Sequence, residues 1–270
     1  MSTELDSPPP PQLVHYTTLG GLLGIISENA FHASNVSYLN DKRELTHALE
    51  ESLEVLSAMA KGADALWKPA IEAAATKISE GALPPTYVMC FCTQPDLLSQ
   101  WRGYGGEQGV SLVFDRARLE KALAGTGALL RRVYYTRVST REKVVHLLER
   151  QLRAYRDLED LVDLEPGERA RYAFAAISEL LPRFKHIGFK EEAEWRFVSQ
   201  DAPEAMVKYR VRGHALLPYI GLQAAESLPL VRVVIGPGRE PAFTRKSVEH
   251  FLRARGYGCQ VTVSRVPYRT

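Results

Sequence analysis

The sequence predicts an α+β fold of mixed or antiparallel strands with interposed helices. Three observations carry this expectation. Strand-like and helix-like runs follow one another without a regular alternation, and the C-terminal half is rich in strand-like runs. The third is Tyr87-Val88-Met89-Cys90-Phe91-Cys92, which is apolar on both faces, the pattern of a strand in the middle of a sheet. A doubly wound parallel sheet is therefore disfavoured. With 270 residues, 45% of them hydrophobic and 24% charged, the chain can bury a sizeable core. One domain over residues 13–270 is expected, with helical insertions at about 42–80 and 140–185.

Residues 1–12 include four consecutive prolines and little to bury, so they read as a disordered or extended leader. Leu13 to Thr17 is a short strand, and Thr17 or Thr18 caps a helix over Leu19–Asn29 with Leu19, Leu22, Leu23 and Ile26 inward. Ala30 to Ser34 is a second strand, followed by a turn at Tyr38-Leu39-Asn40-Asp41. Leu45, Leu49, Leu53 and Leu56 recur at helical spacing; Gly62 breaks that helix, and an Ala-rich one runs over 63–79. After the Tyr87–Cys92 strand, Asp96 to Arg102 forms one helical turn and Gly103 to Gly109 a loop. Gly109 to Phe114 is a strand ending at Asp115, a helix cap. Arg131 to Thr136 is another strand, and 140–164 and 168–184 form a helical pair turning at Pro166-Gly167. Strands then follow at Glu194 and over 207–211, 231–235 and 260–266, with a helix over 242–255.

A net charge of +2 gives no overall footprint for nucleic acid. The last forty residues differ: from Val231 to Thr270, eight Lys or Arg stand against two Glu, a local excess of +6. Arg245 and Arg253 fall near one face of the helix there, which makes them candidates for contacting a nucleic-acid backbone. Three cysteines, Cys90, Cys92 and Cys259, are too few for a disulfide framework and suit a cytoplasmic setting. No apolar run has membrane length, so no membrane partner is expected. No Cys or His spacing suits zinc, so no metal is expected, and the glycines of 103–109 match neither a P-loop nor a dinucleotide fingerprint.

The stretch Phe189-Lys190-Glu191-Glu192-Ala193-Glu194-Trp195-Arg196 passes from charged residues into a strand. Period two places Glu194 and Arg196 on one face and Trp195 and Phe197 on the other. In a cleft, the carboxylate would steady a developing cation or polarise a hydroxyl, while Arg196 would fork onto a phosphate or hold the carboxylate itself. On a solvated face the two form an ordinary ion pair.

Several motifs together resemble a bacterial family, the domain of unknown function numbered 2971. They are Leu13-Val14-His15-Tyr16-Thr17 with Leu22-Leu23-Gly24-Ile25, Tyr38-Leu39-Asn40-Asp41, Asp96 to Arg102 with Tyr104, and Phe189-Lys190 with Glu192 and Glu194-Trp195-Arg196. Ile235-Gly236-Pro237 and Ser264 with Pro267-Tyr268-Arg269 extend the resemblance almost to the end. More distantly, a strand bearing His15, a following helix and a late strand opened by a glutamate are similar to the ADP-ribosyltransferase superfamily, in its toxin or phage-defence branch.

That second resemblance implies split, bent sheets around a cleft and NAD as a substrate. It implies that Glu194 is catalytic and His15 holds a ribose hydroxyl of NAD, with Tyr16 and Thr17 beside it. Thr17 would meet the nicotinamide amide, Tyr38 or Tyr104 would give the ring an aromatic face, and Asn40 would border the ligand. Arg43, Arg102 or Arg196 would hold the pyrophosphate. The acceptor would be nucleic acid or protein. Two alternatives stand beside this: a metal-independent nuclease using His15 and Glu194, and a non-catalytic nucleotide or nucleic-acid binding module using Arg102, Arg196 and the basic tail. Oligomeric state is left open.

Overall fold

The architecture is mixed α+β with several sheets. The computed structural model describes residues 8–38, 53–54, 56–63, 65, 67–81, 84–136, 149–150, 153, 157, 165–200, 202–213 and 215–267. Asn40, Arg43 and most of 140–164 lie outside them.

A four-stranded sheet has the order β1-β4-β11-β12. Strands β1 (Gln12–Thr18) and β11 (Leu230–Ile235) flank β4 (Gly109–Asp115) antiparallel, and β12 (Gln260–Val263) lies parallel to β11. The second sheet has six strands, all antiparallel to their neighbours. In spatial order they are β5 (Leu129–Arg132), β8 (Trp195–Gln200), β3 (Thr86–Phe91), β2 (Ala30–Asn35), β10 (Ala215–Gln223) and β9 (Lys208–Arg212). The doubly apolar β3 is interior there, as its pattern requires. A short parallel pair, β6 (Tyr134–Thr136) and β7 (Phe184–His186), stands apart.

The two large sheets face each other across one core. Phe31, Phe91, Phe114 and Phe197 meet there edge to face, Phe31 lying 5.4 Å from Phe91 and 5.3 Å from Phe114 between ring centroids. They are stitched at one point, where Val14 and Cys92 exchange backbone hydrogen bonds of 2.9 and 2.8 Å.

Helix α1 (Leu19–Glu28) begins at Thr18, whose hydroxyl accepts from Gly21 N–H, and ends at Asn29 with φ 51°. Its inward stripe is Leu22, Ile25 and Ile26; Leu19 and Leu23, expected inside, are 37% and 53% exposed. At 100° per residue the buried arc centres on Leu22, with Ile25 and Ile26 to either side, and Leu19 and Leu23 fall beyond Ile26, outside it. Pro10 and Pro11 are not free leader: their carbonyls accept from Arg116 Nε and N–H at 3.2 and 3.0 Å, and Gln12 already pairs with Asp115.

Helix α2 (Trp67–Ser79) packs against a later helix, α5 (Pro166–Leu180), around Trp67, Ile71, Ile78, Leu180 and small alanines on both. Leu56 joins this second core, which closes on Tyr134 and Phe184. The two helical insertions, far apart in sequence, thus bury each other's apolar faces. Pro166 opens α5 in its first turn instead of marking a loop, and Phe184 belongs to β7. The expected strand 131–136 is two strands broken at Val133, whose N–H turns to the carbonyl of Glu194 at 3.0 Å.

Helices α3 (Leu98–Tyr104) and α4 (Arg116–Leu123) flank β4, the latter capped by Asp115, whose carboxylate accepts from Arg118 N–H at 2.9 Å. Helix α6 (Pro241–Ala254) buries Val248 and Leu252. No helix among the described residues is long and apolar enough to cross a membrane.

Candidate functional site

The chain turns sharply just before β8. Ala193 has φ 42°, a left-handed conformation that costs a side-chain-bearing residue of order 1 kcal/mol and is held only where the surroundings fix it. Its N–H bonds back to Lys190 O at 3.2 Å, closing the 3-10 turn Ile187–Glu192. The turn brings Glu192 and Glu194 to the same cleft. Glu194 is fixed through its backbone as well: its N–H donates to Tyr135 Oη at 2.7 Å.

The Glu194 side chain is 4% exposed and ionically partnered on both oxygens. Arg196 Nε lies 2.7 Å from Oε1 and Nη2 3.2 Å from Oε2, while Lys185 Nζ, also buried, lies 3.1 Å from Oε2. Lys185 bridges to Glu192 Oε2 at 2.7 Å. Burial alone would raise the Glu194 pKa, but the charge and hydrogen bonds of Arg196, with Lys185, overcome it and hold the carboxyl down to about 2. The Cys90 thiol is hydrogen-bonded to Glu194, and burial, then the carboxylate, push its pKa up, so it remains a thiol.

His15 reaches the cleft from β1. Its Nδ1 lies 3.0 Å from the Cys90 carbonyl, which can only accept, so Nδ1 carries the proton and Nε2 is left as an acceptor. Burial lowers its pKa to about 4, and the ring is neutral near pH 7. Tyr16, on the next position, points its ring at Trp101, 4.6 Å away, and its hydroxyl donates to Gln94 O and accepts from Leu97 N–H. It borders the cleft while pinning the loop that leads into α3.

From α3, Gln100 and Tyr104 line the cleft, one helical turn apart on the same side. Gln100 is 6% exposed, and among the described residues its amide makes no hydrogen bond. Trp101 instead enters the core and donates Nε1 to Asp96 at 2.8 Å. The Asp96 carboxylate also accepts from Ser264 Oγ and, at 2.8 Å, from Arg265 N–H, tying α3 to the chain after β12. The cleft has a volume of about 50 Å³ and opens to solvent, and Tyr104 on its lining is 43% exposed.

Of the residues singled out from the sequence, His15, Tyr16, Tyr104 and Glu194 line this one cleft. Arg196 does not join them as a phosphate ligand: it is buried, and its third hydrogen bond goes to Pro182 O at 2.6 Å. Its inward-facing position on β8 leaves only the alternative role, holding the carboxylate. Thr17 is half-buried and packs its hydroxyl against Gly21, where an added Cβ would lie 1.9 Å from Oγ1; it does not line the cleft. Tyr38, 46% exposed on the turn Val36–Tyr38, and Arg102, exposed on α3, also lie off the cleft lining. On α6 both Arg245 and Arg253 are exposed, but Arg245 is paired with Glu249 at 3.1 Å, so the charge available there is smaller than a count suggests. Sequence reasoning missed Gln100, Lys185, Glu192 and Cys90 as site residues. The i, i+4 relation of Gln100 to Tyr104 was the one local signal for the first. Among the described residues no three His, Cys, Asp or Glu side chains group to hold a metal ion.

The arrangement offers an ionised carboxylate, a neutral imidazole with an acceptor nitrogen, and an amide without a partner among the described residues around one open cleft. In comparisons with known proteins, the profile of a family described as Protein of unknown function (DUF2971) matches residues 100–197, which run from within α3 through the Glu194–Arg196 pair. No curated protein and no solved structure matches the chain.

Proposed function

We propose that this cleft is the active site of an NAD-dependent, ADP-ribosyltransferase-like enzyme that transfers ADP-ribose to a nucleic-acid or protein acceptor. One observation carries the reading: His15 on β1 and Glu194 just before β8, far apart in the sequence, face one cleft beside the Val14–Cys92 stitch where the two sheets part. In the ADP-ribosyltransferase-like reading this gap is the split between sheets, and the cleft takes the nicotinamide ribose. His15 Nε2 accepts from a ribose hydroxyl. The C1′–N bond then breaks with its electron pair passing to the nicotinamide ring, which neutralises that ring and leaves positive charge on the ribose. Glu194, kept ionised by Arg196 and Lys185, stabilises that charge, and an acceptor oxygen or nitrogen adds at C1′ and gives up its proton to solvent water. Gln100 supplies an amide to a polar group of the bound ring.

The test is nicotinamide release from NAD, together with transfer of a label in the ADP-ribose portion to single-stranded DNA, RNA or protein. Release that disappears in Glu194→Gln supports the proposal. No calorimetric binding of NAD and no release at millimolar NAD would overturn it.

A second reading is favoured by a different observation, the engagement of both Glu194 oxygens by Arg196 and Lys185. A carboxylate so enclosed suits a module that binds a nucleotide without turning it over. Retention of intact NAD with no nicotinamide released identifies that case.

A further inference from the structure

Strand β9 reads Lys208-Tyr209-Arg210-Val211-Arg212 and, among the described residues, is an outer edge of the six-stranded sheet, hydrogen-bonded to β10 alone. Alternation places its three cations on one face. Lys208 and Arg212 are exposed; Arg210 is half-buried, lies 5.4 Å over the Tyr219 ring and donates to Ser34 Oγ at 2.6 Å. Tyr219 is in turn packed on His32 at 4.3 Å, so one cation of the row is held in place by an aromatic pair. Among the described residues none of the three forms an ion pair with a carboxylate, including Glu204 just upstream, whereas Arg116, Arg131 and Arg245 each do. On the other face Tyr209, Val211 and Leu216 are 64%, 76% and 62% exposed.

We infer that the β9 edge is a docking surface for single-stranded nucleic acid. A row of unneutralised cations beside exposed aromatic surface is the combination that tracks a phosphate backbone while offering a base a ring to stack on. A strand laid along the edge meets both faces at once, phosphates against Lys208, Arg210 and Arg212 and a base against Tyr209. The same charges disfavour the other use of a free edge: a second copy of β9 paired antiparallel would set cation against cation. The surface is separate from α6, where the sequence alone had placed nucleic-acid contacts.

Fluorescence anisotropy of a labelled single-stranded 20-mer, as DNA and as RNA, tests this on the full chain without NAD, so its failure leaves the cleft chemistry untouched. Three phosphate contacts give a log–log salt slope of about −2. Lys208→Gln with Arg212→Gln, both exposed and without an ion pair, should flatten that slope by about 1.4 and weaken binding about tenfold at low salt, with unchanged circular dichroism. Arg245→Ala with Arg253→Ala should leave both values as they are. The inference is overturned if the wild type shows no binding, if the β9 variant keeps its slope, if the α6 variant carries the loss, or if polyglutamate displaces the oligonucleotide as well as unlabelled oligonucleotide does. That last result would assign the edge to an acidic peptide.

Discussion

Arg196 grips Glu194 with two nitrogens, Nε 2.7 Å from Oε1 and Nη2 3.2 Å from Oε2, inside a protein interior that exposes 4% of either residue. A pair this buried fixes geometry, and removing one partner leaves the other charge stranded. The site is therefore coupled to the stability of the fold around it.

Glu194→Gln is expected to lower nicotinamide release by about 10² or more, the scale for losing a placed electrostatic or acid-base group. It should also lower stability, by about 3 kcal/mol, because Arg196 and Lys185 keep their charges and lose part of their compensation. Denaturant melts alongside turnover at a temperature where both proteins are folded separate the two effects. Unchanged turnover in the folded variant would remove Glu194 from the mechanism.

Acid should weaken the fold in two windows. His15 is depressed from 6.5 to about 4, so its neutral form is favoured by folding; that contribution is full above pH 6.5 and is lost as pH falls toward 4. Glu194 is depressed from 4.5 to about 2, so its contribution is full above pH 4.5 and is lost between there and 2. Chemical denaturation at a series of pH values should show the upper loss vanish in His15→Gln and the lower one in Glu194→Gln. A single loss below pH 4 in the wild type would mean that His15 is not buried as neutral imidazole.

His15→Ala should weaken NAD binding more than it weakens folding, since Nε2 is the atom left for a ribose hydroxyl while Nδ1 makes only one bond, to Cys90 O. Calorimetric titration of wild type and variant decides it, and equal affinities would make His15 a core residue only.

Much of this was legible locally. Thr18 and Asp115 announced their helices as caps, β3 announced its central place by being apolar on both faces, and period two put Glu194 and Arg196 together. Strand β10 was not legible, because Pro218 and Gly221 in its interior are residues strands normally exclude. Nor was the fate of Arg196: whether it faces ligand or carboxylate depends on Pro182 O and Lys185, which come from the turn before β7 and from β7 itself and are distant enough in sequence that no local pattern links them to Arg196. In the polar run Ser99-Gln100-Trp101-Arg102 the residue facing the cleft is Gln100 and not the arginine, a choice set by the anchoring of Trp101 to Asp96.

That anchor gives another prediction. Asp96→Ala removes the acceptor for Trp101 Nε1, Ser264 Oγ and Arg265 N–H together, and should cost about 2–3 kcal/mol of stability. Because the same contacts set α3, NAD affinity should fall even where the protein stays folded. Normal affinity in the folded variant would show that α3 is positioned by its other packing.

Gln100 supplies the sharpest separation of binding from folding. Its side chain is almost wholly buried, lines the cleft, and makes no hydrogen bond among the described residues, so the protein loses no bond when the amide is removed. Gln100→Leu, close in size and apolar, should leave the melt unchanged, since the amide faces the cleft and makes no hydrogen bond among the described residues. If the amide meets a polar group of the ligand, the same substitution should weaken NAD about tenfold or more, because that group is then buried against a side chain with nothing to offer it. Calorimetric titration and thermal melts on the one variant decide it. Lost stability with unchanged affinity would mean that Gln100 serves the fold and that the ligand is read from the other wall, by His15 and Glu194.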